Sequence, residues 1–151
     1  MIALACDHGG FELMKEVKKY LISAGFEYKD FGTSSPESCD YPVVMIPATD
    51  AVINGICDKG ILICGTGIGM SIAANKCPSI RAALCTTRYM AEMARSHNDA
   101  NILVLGGRVI DPDLAVDIVK TFFDTGFSEN EKHRRRVAML NEQDTIKQRK
   151  E

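Results

Sequence analysis

Residues 60–76 read Gly-Ile-Leu-Ile-Cys-Gly-Thr-Gly-Ile-Gly-Met-Ser-Ile-Ala-Ala-Asn-Lys, and this stretch decides the fold. Gly60–Cys64 is apolar without alternation, the pattern of a central strand buried on both faces of a parallel sheet. Three glycines follow within five residues, at 65, 67 and 69, and a short helix is expected over Ile68–Asn75. A buried strand running through a glycine-rich turn into a helix is one half of a strand–helix–strand unit. The rest of the chain repeats it.

Toward the N-terminus, Ile2–Cys6 reads as a buried strand. The stretch Phe11–Ala24 reads as a helix with Met14, Val17 and Leu21 on one face, ended by Gly25. Glu27–Phe31 is a second strand, and Gly32 to Cys39 a loop. Pro42–Asn54 looks helical, with Pro47 expected to kink it or mark a late start. Toward the C-terminus come a strand at Arg81–Cys85, a helix at Thr87–Ser96 and a strand at Ile102–Leu105. Asp111 and Pro112 supply an N-cap and a first-turn proline for a helix to about Phe123, which Gly126 breaks. Met90 and Met93 are expected in the core, and Lys132–Lys150 forms a last, highly charged helix. Five strand–helix units predict an α/β fold. It is a doubly wound, Rossmann-like five-stranded parallel sheet with helices on both faces and an extra C-terminal helix, a single domain over residues 1–151.

Composition agrees. A chain of 151 residues can bury about two-thirds of its unfolded surface and needs neither disulfides nor a structural metal. With 46% hydrophobic and 25% charged residues it is neither disordered nor fibrous. A net charge of −2 gives no global attraction for nucleic acid or anionic membrane, and no apolar run has the roughly 18 residues of a membrane helix. The start, Met1 to Asp7, has no basic segment, so an export signal is not expected and the cytoplasm is. The six cysteines (6, 39, 57, 64, 77 and 85) are then read as reduced thiols, mostly small buried hydrophobes. They form no Cys-x-x-Cys, and the three histidines stand far apart, so zinc spacing is absent.

Ligands of such sheets bind at the carboxyl ends of the strands. That rule selects Asp7-His8-Gly9-Gly10, the Gly32–Tyr41 loop, Cys64–Gly69 and Gly106-Gly107-Arg108. In Cys64–Gly69 the glycines let backbone amides approach a ligand, and the amides with the following helix favour an anion. A cysteine there is expected to have a lowered pKa; a tight turn with a buried cysteine is the plain alternative. The loop is no dinucleotide fingerprint, because the last glycine position from Gly65 is Met70 and no acid lies about 20 residues on. It lacks the Gly-Lys-Ser/Thr of a Walker A loop, and the residue six beyond Cys64, where a cysteine phosphatase has arginine, is Met70.

Asp7-His8 can cap a helix or point a polar pair into the crevice. His97 can compensate a helix C-terminus or act as acid/base near pH 7. Arg108 and the run Lys132-His133-Arg134-Arg135-Arg136 can bind phosphate or form a solvated face.

Together these residues resemble the ribose-5-phosphate isomerase type B family, which includes the galactose-6-phosphate isomerase subunits. The resemblance runs from Ile2 to about Arg149. It is carried by Cys-Asp-His-Gly-Gly at 6–10, Asp-Tyr-Pro at 40–42, the long block at 60–76, Ile-Arg-Ala-Ala at 80–83, His-Asn-Asp-Ala-Asn at 97–101 and Gly-Gly-Arg-Val at 106–109. It implies an aldose–ketose isomerase without metal or cofactor, acting on a phosphorylated sugar. It also implies a homodimer or dimer of dimers with sites at the subunit interface.

On that resemblance Cys64 is the base that moves a proton between C2 and C1, and Thr66 the hydroxyl that helps transfer a proton between the oxygens. The amides of Gly65, Gly67 and Gly69 stabilise the enediolate. His97 opens the furanose ring, with Asp7 on the opposite side of the sugar. Tyr41 and Asn98 contact the sugar, and His8, Arg108 and Arg136 the phosphate. Some members use a carboxylate base on the helix after the loop; residues 70–76 hold no acid, so the cysteine form fits. The family often has two arginines four residues apart on the last helix. Lys132 replaces the first, and lysine holds phosphate only as a point charge. The expected reaction interconverts D-ribose 5-phosphate and D-ribulose 5-phosphate. The alternatives are a hexose-6-phosphate isomerase (allose or galactose 6-phosphate) and a non-catalytic sugar-phosphate-binding protein.

Overall fold

A computed structural model describes residues 1–148. The strands are β1 (Ile2–Cys6), β2 (Tyr28–Asp30), β3 (Lys59–Cys64), β4 (Ala82–Leu84) and β5 (Ile102–Gly106). The helices are α1 (Phe11–Ser23), α2 (Tyr41–Val44), α3 (Ile46–Ile53), α4 (Ile68–Ala74), α5 (Arg88–Ser96), α6 (Pro112–Asp124) and α7 (Glu131–Gln148). The last two residues of the expected final helix, Arg149 and Lys150, lie outside the described residues.

All strands are parallel, in the order β2-β1-β3-β5-β4. The strand pleat sends alternate side chains to opposite faces and so makes two cores. Ile61 and Ile63 of β3, with Leu4 and Leu103, pack under α1, α5 and α6, where Phe122 is fully buried. Leu62 and Cys64, with Ala3, Ala5 and Val104, pack under α3 and α4. That second face is lined by Ala48, Ala51 and Ala74, whose small side chains bring helix backbone close to the sheet.

The caps follow the sequence. The Asp111 side chain accepts from Leu114 N at 2.9 Å, and Thr87 from Met90 N at 3.1 Å, each worth about 1 kcal/mol of helix stability. Gly25, at φ +75, ends α1, with Phe26 N donating to Leu21 O.

Pro47 marks a late start, one of the two outcomes expected of it: α2 stops at Val44 and α3 starts at Ile46, so Pro47 sits in a first turn where its missing N–H removes no helical bond. Two expectations need correction. The edge strands β2 and β4 are three residues each rather than five, because they pair on one side only; single bonds such as Phe31 N to Leu4 O continue the ladder beyond them. Met90 is 40% exposed and Met93 only half-buried, because α5 turns Ala91, Ala94 and Arg95 to the core.

Candidate active site

The chain reverses its direction of sheet-building between β1 and β3, which opens a crevice at their carboxyl ends. Cys64 ends β3 there, opposite Gly106 in the register, and Asp7 N donates to Ile63 O beside it. The Cys64 side chain is 4% exposed, and Gly67 N–H donates to its Sγ at 3.2 Å. Gly67 reaches the sulfur because its backbone is left-handed, at φ +78. A Cβ there would lie 2.5 Å from Leu84 Cδ1 and 3.0 Å from the Leu105 carbonyl. The loop is fixed from the far side by Gly107 N to Cys64 O (2.8 Å) and Arg108 N to Gly65 O (2.9 Å). Gly69 stands at the second position of α4, where a backbone N–H has no intrahelical acceptor. Thr66 Oγ1 accepts from Ile68 N at 3.3 Å, and its hydroxyl stays exposed.

Two other sequence-selected side chains rest on this loop, and His8 and Asp7 stand at the neighbouring tip of β1. The Tyr41 ring covers Gly69, its hydroxyl 2.9 Å from where a Cβ would stand. The Arg108 guanidinium lies over Gly65, with Nη1 at 3.3 Å from such a Cβ. His8 accepts from Cys39 N at Nδ1 (3.3 Å), which places the neutral ring's proton on Nε2 and leaves a donor for an anion. Asp7 is buried, and its Oδ1 accepts from Gly9 N (2.8 Å) and Gly10 N (3.1 Å). One of its oxygens therefore builds the turn, while Oδ2 makes no hydrogen bond among the described residues. Gly9 is needed because a Cβ would come 2.7 Å from Gly65 N.

The remaining residues sit elsewhere. His97 and Asn98 follow α5 and precede β5, at the amino end of the sheet. Lys132 and Arg136, near the start of α7, lie by them, since the His97 and His133 rings stack at 4.1 Å. β5 alone puts roughly 13 Å between the two ends. One chain thus brings Asp7, His8, Tyr41, Cys64, the loop glycines, Thr66 and Arg108 together, and holds His97, Asn98, Lys132 and Arg136 apart from them. A cavity of about 320 Å³, lined in part by Arg81, Asn98, Asn141 and Asp144, also lies at the amino end, away from the thiol.

Among the described residues Arg108, Lys132 and Arg136 take no acidic partner, whereas Arg134 pairs with Glu129. His133 is buried, with Nδ1 unpartnered. Burial pushes its pKa down, and His97, Lys132 and Arg136 push it the same way. Its spacing of four from the buried Val137 was the available sign that it faces inward.

A family model described as Ribose/Galactose Isomerase matches residues 2–140. The chain belongs to the ribose/galactose isomerase family. Within it, the chain is 45% identical to ribose-5-phosphate isomerase B of Escherichia coli (strain K12) over 139 residues, 92% of this chain and 93% of that one. It superposes on the crystal structure of a ribose 5-phosphate isomerase from Thermotoga maritima with a TM-score of 0.90 at 51% identity, covering 93% of this chain and 97% of that one. For Clostridium thermocellum ribose-5-phosphate isomerase B the TM-score is 0.93 at 49% identity, with 99% of each chain covered. No described helix is long and apolar enough to cross a membrane.

Proposed function

We propose that this protein interconverts D-ribose 5-phosphate and D-ribulose 5-phosphate through an enediolate, with Cys64 as the base. The observation that carries the mechanism is the Cys64 sulfur at the strand tip, 3.2 Å from the Gly67 amide, in a loop covered by Tyr41 over Gly69 and Arg108 over Gly65. Removing the C2 proton of an open-chain aldose leaves negative charge on its oxygens, which must be met where it forms. Cys64 takes that proton and returns it to C1. Thr66 passes the hydroxyl proton from O2 to O1, so the carbonyl moves from C1 to C2 with no net change in atoms. The amides of Gly65, Gly67 and Gly69 hold the enediolate oxygen, with Gly67 N–H turning between sulfur and substrate. His8 Nε2 and Arg108 anchor the phosphate, and binding there, remote from the reacting carbons, positions them.

The ring-opening half comes from a second copy. The partner subunit's His97 opens the furanose opposite Asp7. The partner subunit's Asn98 touches the sugar, and the partner subunit's Lys132 and Arg136 complete the phosphate site. This reading is supported by the separation of the two groups in one chain and by the apolar surface beside the loop: Ile68, Ile72 and Val109 are each more than half exposed. The working unit is a homodimer or a dimer of dimers of a one-domain chain. Six unpaired thiols suit a reducing compartment, the cytoplasm.

The test is a chelator-treated assay with ribose 5-phosphate and allose 6-phosphate, on wild type and Cys64→Ala. Pentose turnover that falls by about 10²–10⁴-fold in the variant is the expected result. Turnover of the hexose phosphate alone keeps the base and moves the substrate, pointing to Lys132, whose point charge holds phosphate less directionally than an arginine fork. No turnover of either refutes the enzyme reading.

A further inference from the structure

We propose that Asp99 is a positioning residue for His97, and that the clamp of Arg81, Asp99 and Arg95 holds the ring-opening half of the site in place. The inference rests on the role proposed above for His97. Asp99 lies two residues beyond it, with a left-handed backbone (φ +46) that only a few residue types tolerate. Three of its oxygens are gripped. Arg95 Nη1 donates to Oδ1 at 2.8 Å and also to Ala100 O at 2.7 Å. Arg81 donates through Nη2 to Oδ2 at 3.1 Å and through Nε to the Asp99 carbonyl at 3.0 Å. Arg95 is 6% exposed, so its buried charge needs this carboxylate as a partner. Arg81 also donates through Nη1 to Asn141 Oδ1 at 3.2 Å, which ties α7, the helix of Lys132 and Arg136, to the same point.

His97 itself is exposed, and its ring takes no hydrogen bond among the described residues; it leans on the buried His133. The direction of the imidazole is therefore set by the backbone on either side of it. Met93 O holds His97 N at 2.9 Å before the ring, and the clamp holds the chain after it. A turn alone needs no two arginines on one carboxylate. A tip that must present an imidazole and an amide to another subunit does.

The consequence separates the two directions of the reaction. Ribose 5-phosphate is a closed furanose, and its ring must open before Cys64 can act. Ribulose 5-phosphate has its carbonyl at C2 and its C5 oxygen esterified, so it has no furanose to open. Asp99→Asn keeps the side-chain size and tolerates the left-handed backbone, but presents an amide to two cations. The maximal rate from ribose 5-phosphate should fall about 10- to 100-fold, because a misplacement of about an ångström costs that much, while the rate from ribulose 5-phosphate stays within about threefold. Arg81→Lys should act the same way, and decides the matter alone if Asp99→Asn fails to fold. Equal loss in both directions, or no loss in either, overturns the proposal. His97→Ala is the calibration: if it leaves the rate from ribose 5-phosphate intact, the role of His97 is wrong. If it shows the asymmetry and the clamp variants do not, only the clamp is wrong.

Discussion

Gly67→Ala and Gly69→Ala make the same chemical change two residues apart, and the structure predicts a large loss of stability at the first and little change at the second. At Gly67 the backbone is left-handed (φ +78), which costs an alanine about 1–2 kcal/mol. The new methyl would also stand 2.5 Å from Leu84 Cδ1 and 3.0 Å from the Leu105 carbonyl carbon and oxygen. The leucine can turn aside; the carbonyl belongs to central strand β5 and cannot. Overpacking of this kind adds about 1–3 kcal/mol, so the total is about 2–5 kcal/mol, or a fall in Tm of roughly 4–20 °C for a domain of this size. Turnover should fall about tenfold or more as well, because relief of the clash moves the Gly67 amide off Cys64 Sγ.

Gly69 is in α4 with helical backbone, where alanine gains about 1 kcal/mol, and the three atoms nearest its methyl would all belong to the Tyr41 side chain, at 2.6–2.9 Å. That side chain is 36% exposed and can swing away. Gly69→Ala should therefore keep the wild-type Tm within about 3 °C while KM rises, because Tyr41 leaves the loop. The assay is thermal unfolding at one fixed protein concentration, with steady-state kinetics on both variants. If Gly67→Ala unfolds with the wild type, or Gly69→Ala falls as far as Gly67→Ala, the assignment of strain to the left-handed position is wrong.

His133 links stability to pH. Its pKa in the folded chain lies below the unfolded value near 6.5, so as pH falls through about 6.5 the unfolded chain takes up the proton first. Its contribution is complete above that pH and lost below it. Thermal melts from pH 7.5 to 5 should show a steeper acid-side loss in wild type than in His133→Gln; parallel curves would refute the assignment. The thiols give a second check. Cys6 and Cys85 are each pushed up to about 12, Cys85 by burial and Cys6 by burial first and the Asp30 charge second. Iodoacetamide at pH 8 should leave both unmodified in the native protein and label them in denaturant, read by peptide mass. Native labelling at either position would contradict the burial described for it.

The sequence by itself determined the sheet, its helices and the family. Each rests on a local signal: uniform apolarity at 60–64, helical period in α1, Asp111-Pro112 at the start of α6, and glycines where the backbone must turn. Cys64, Thr66 and the loop glycines were legible for the same reason, since strand, turn and helix are consecutive in the chain.

What tertiary structure decided is which distant segments meet. Strand order put Asp7 beside Cys64 and left His97 at the opposite end of β5, a division that spacing along the chain does not encode. The Asp99 clamp joins Arg81 on one side of α5 to Arg95 within it, and the His97–His133 stack joins residues 36 positions apart. Charged and aromatic side chains in a sequence look solvated until folding removes the water. Only the packed chain shows that Arg95 and His133 are buried, and so must be held by particular neighbours.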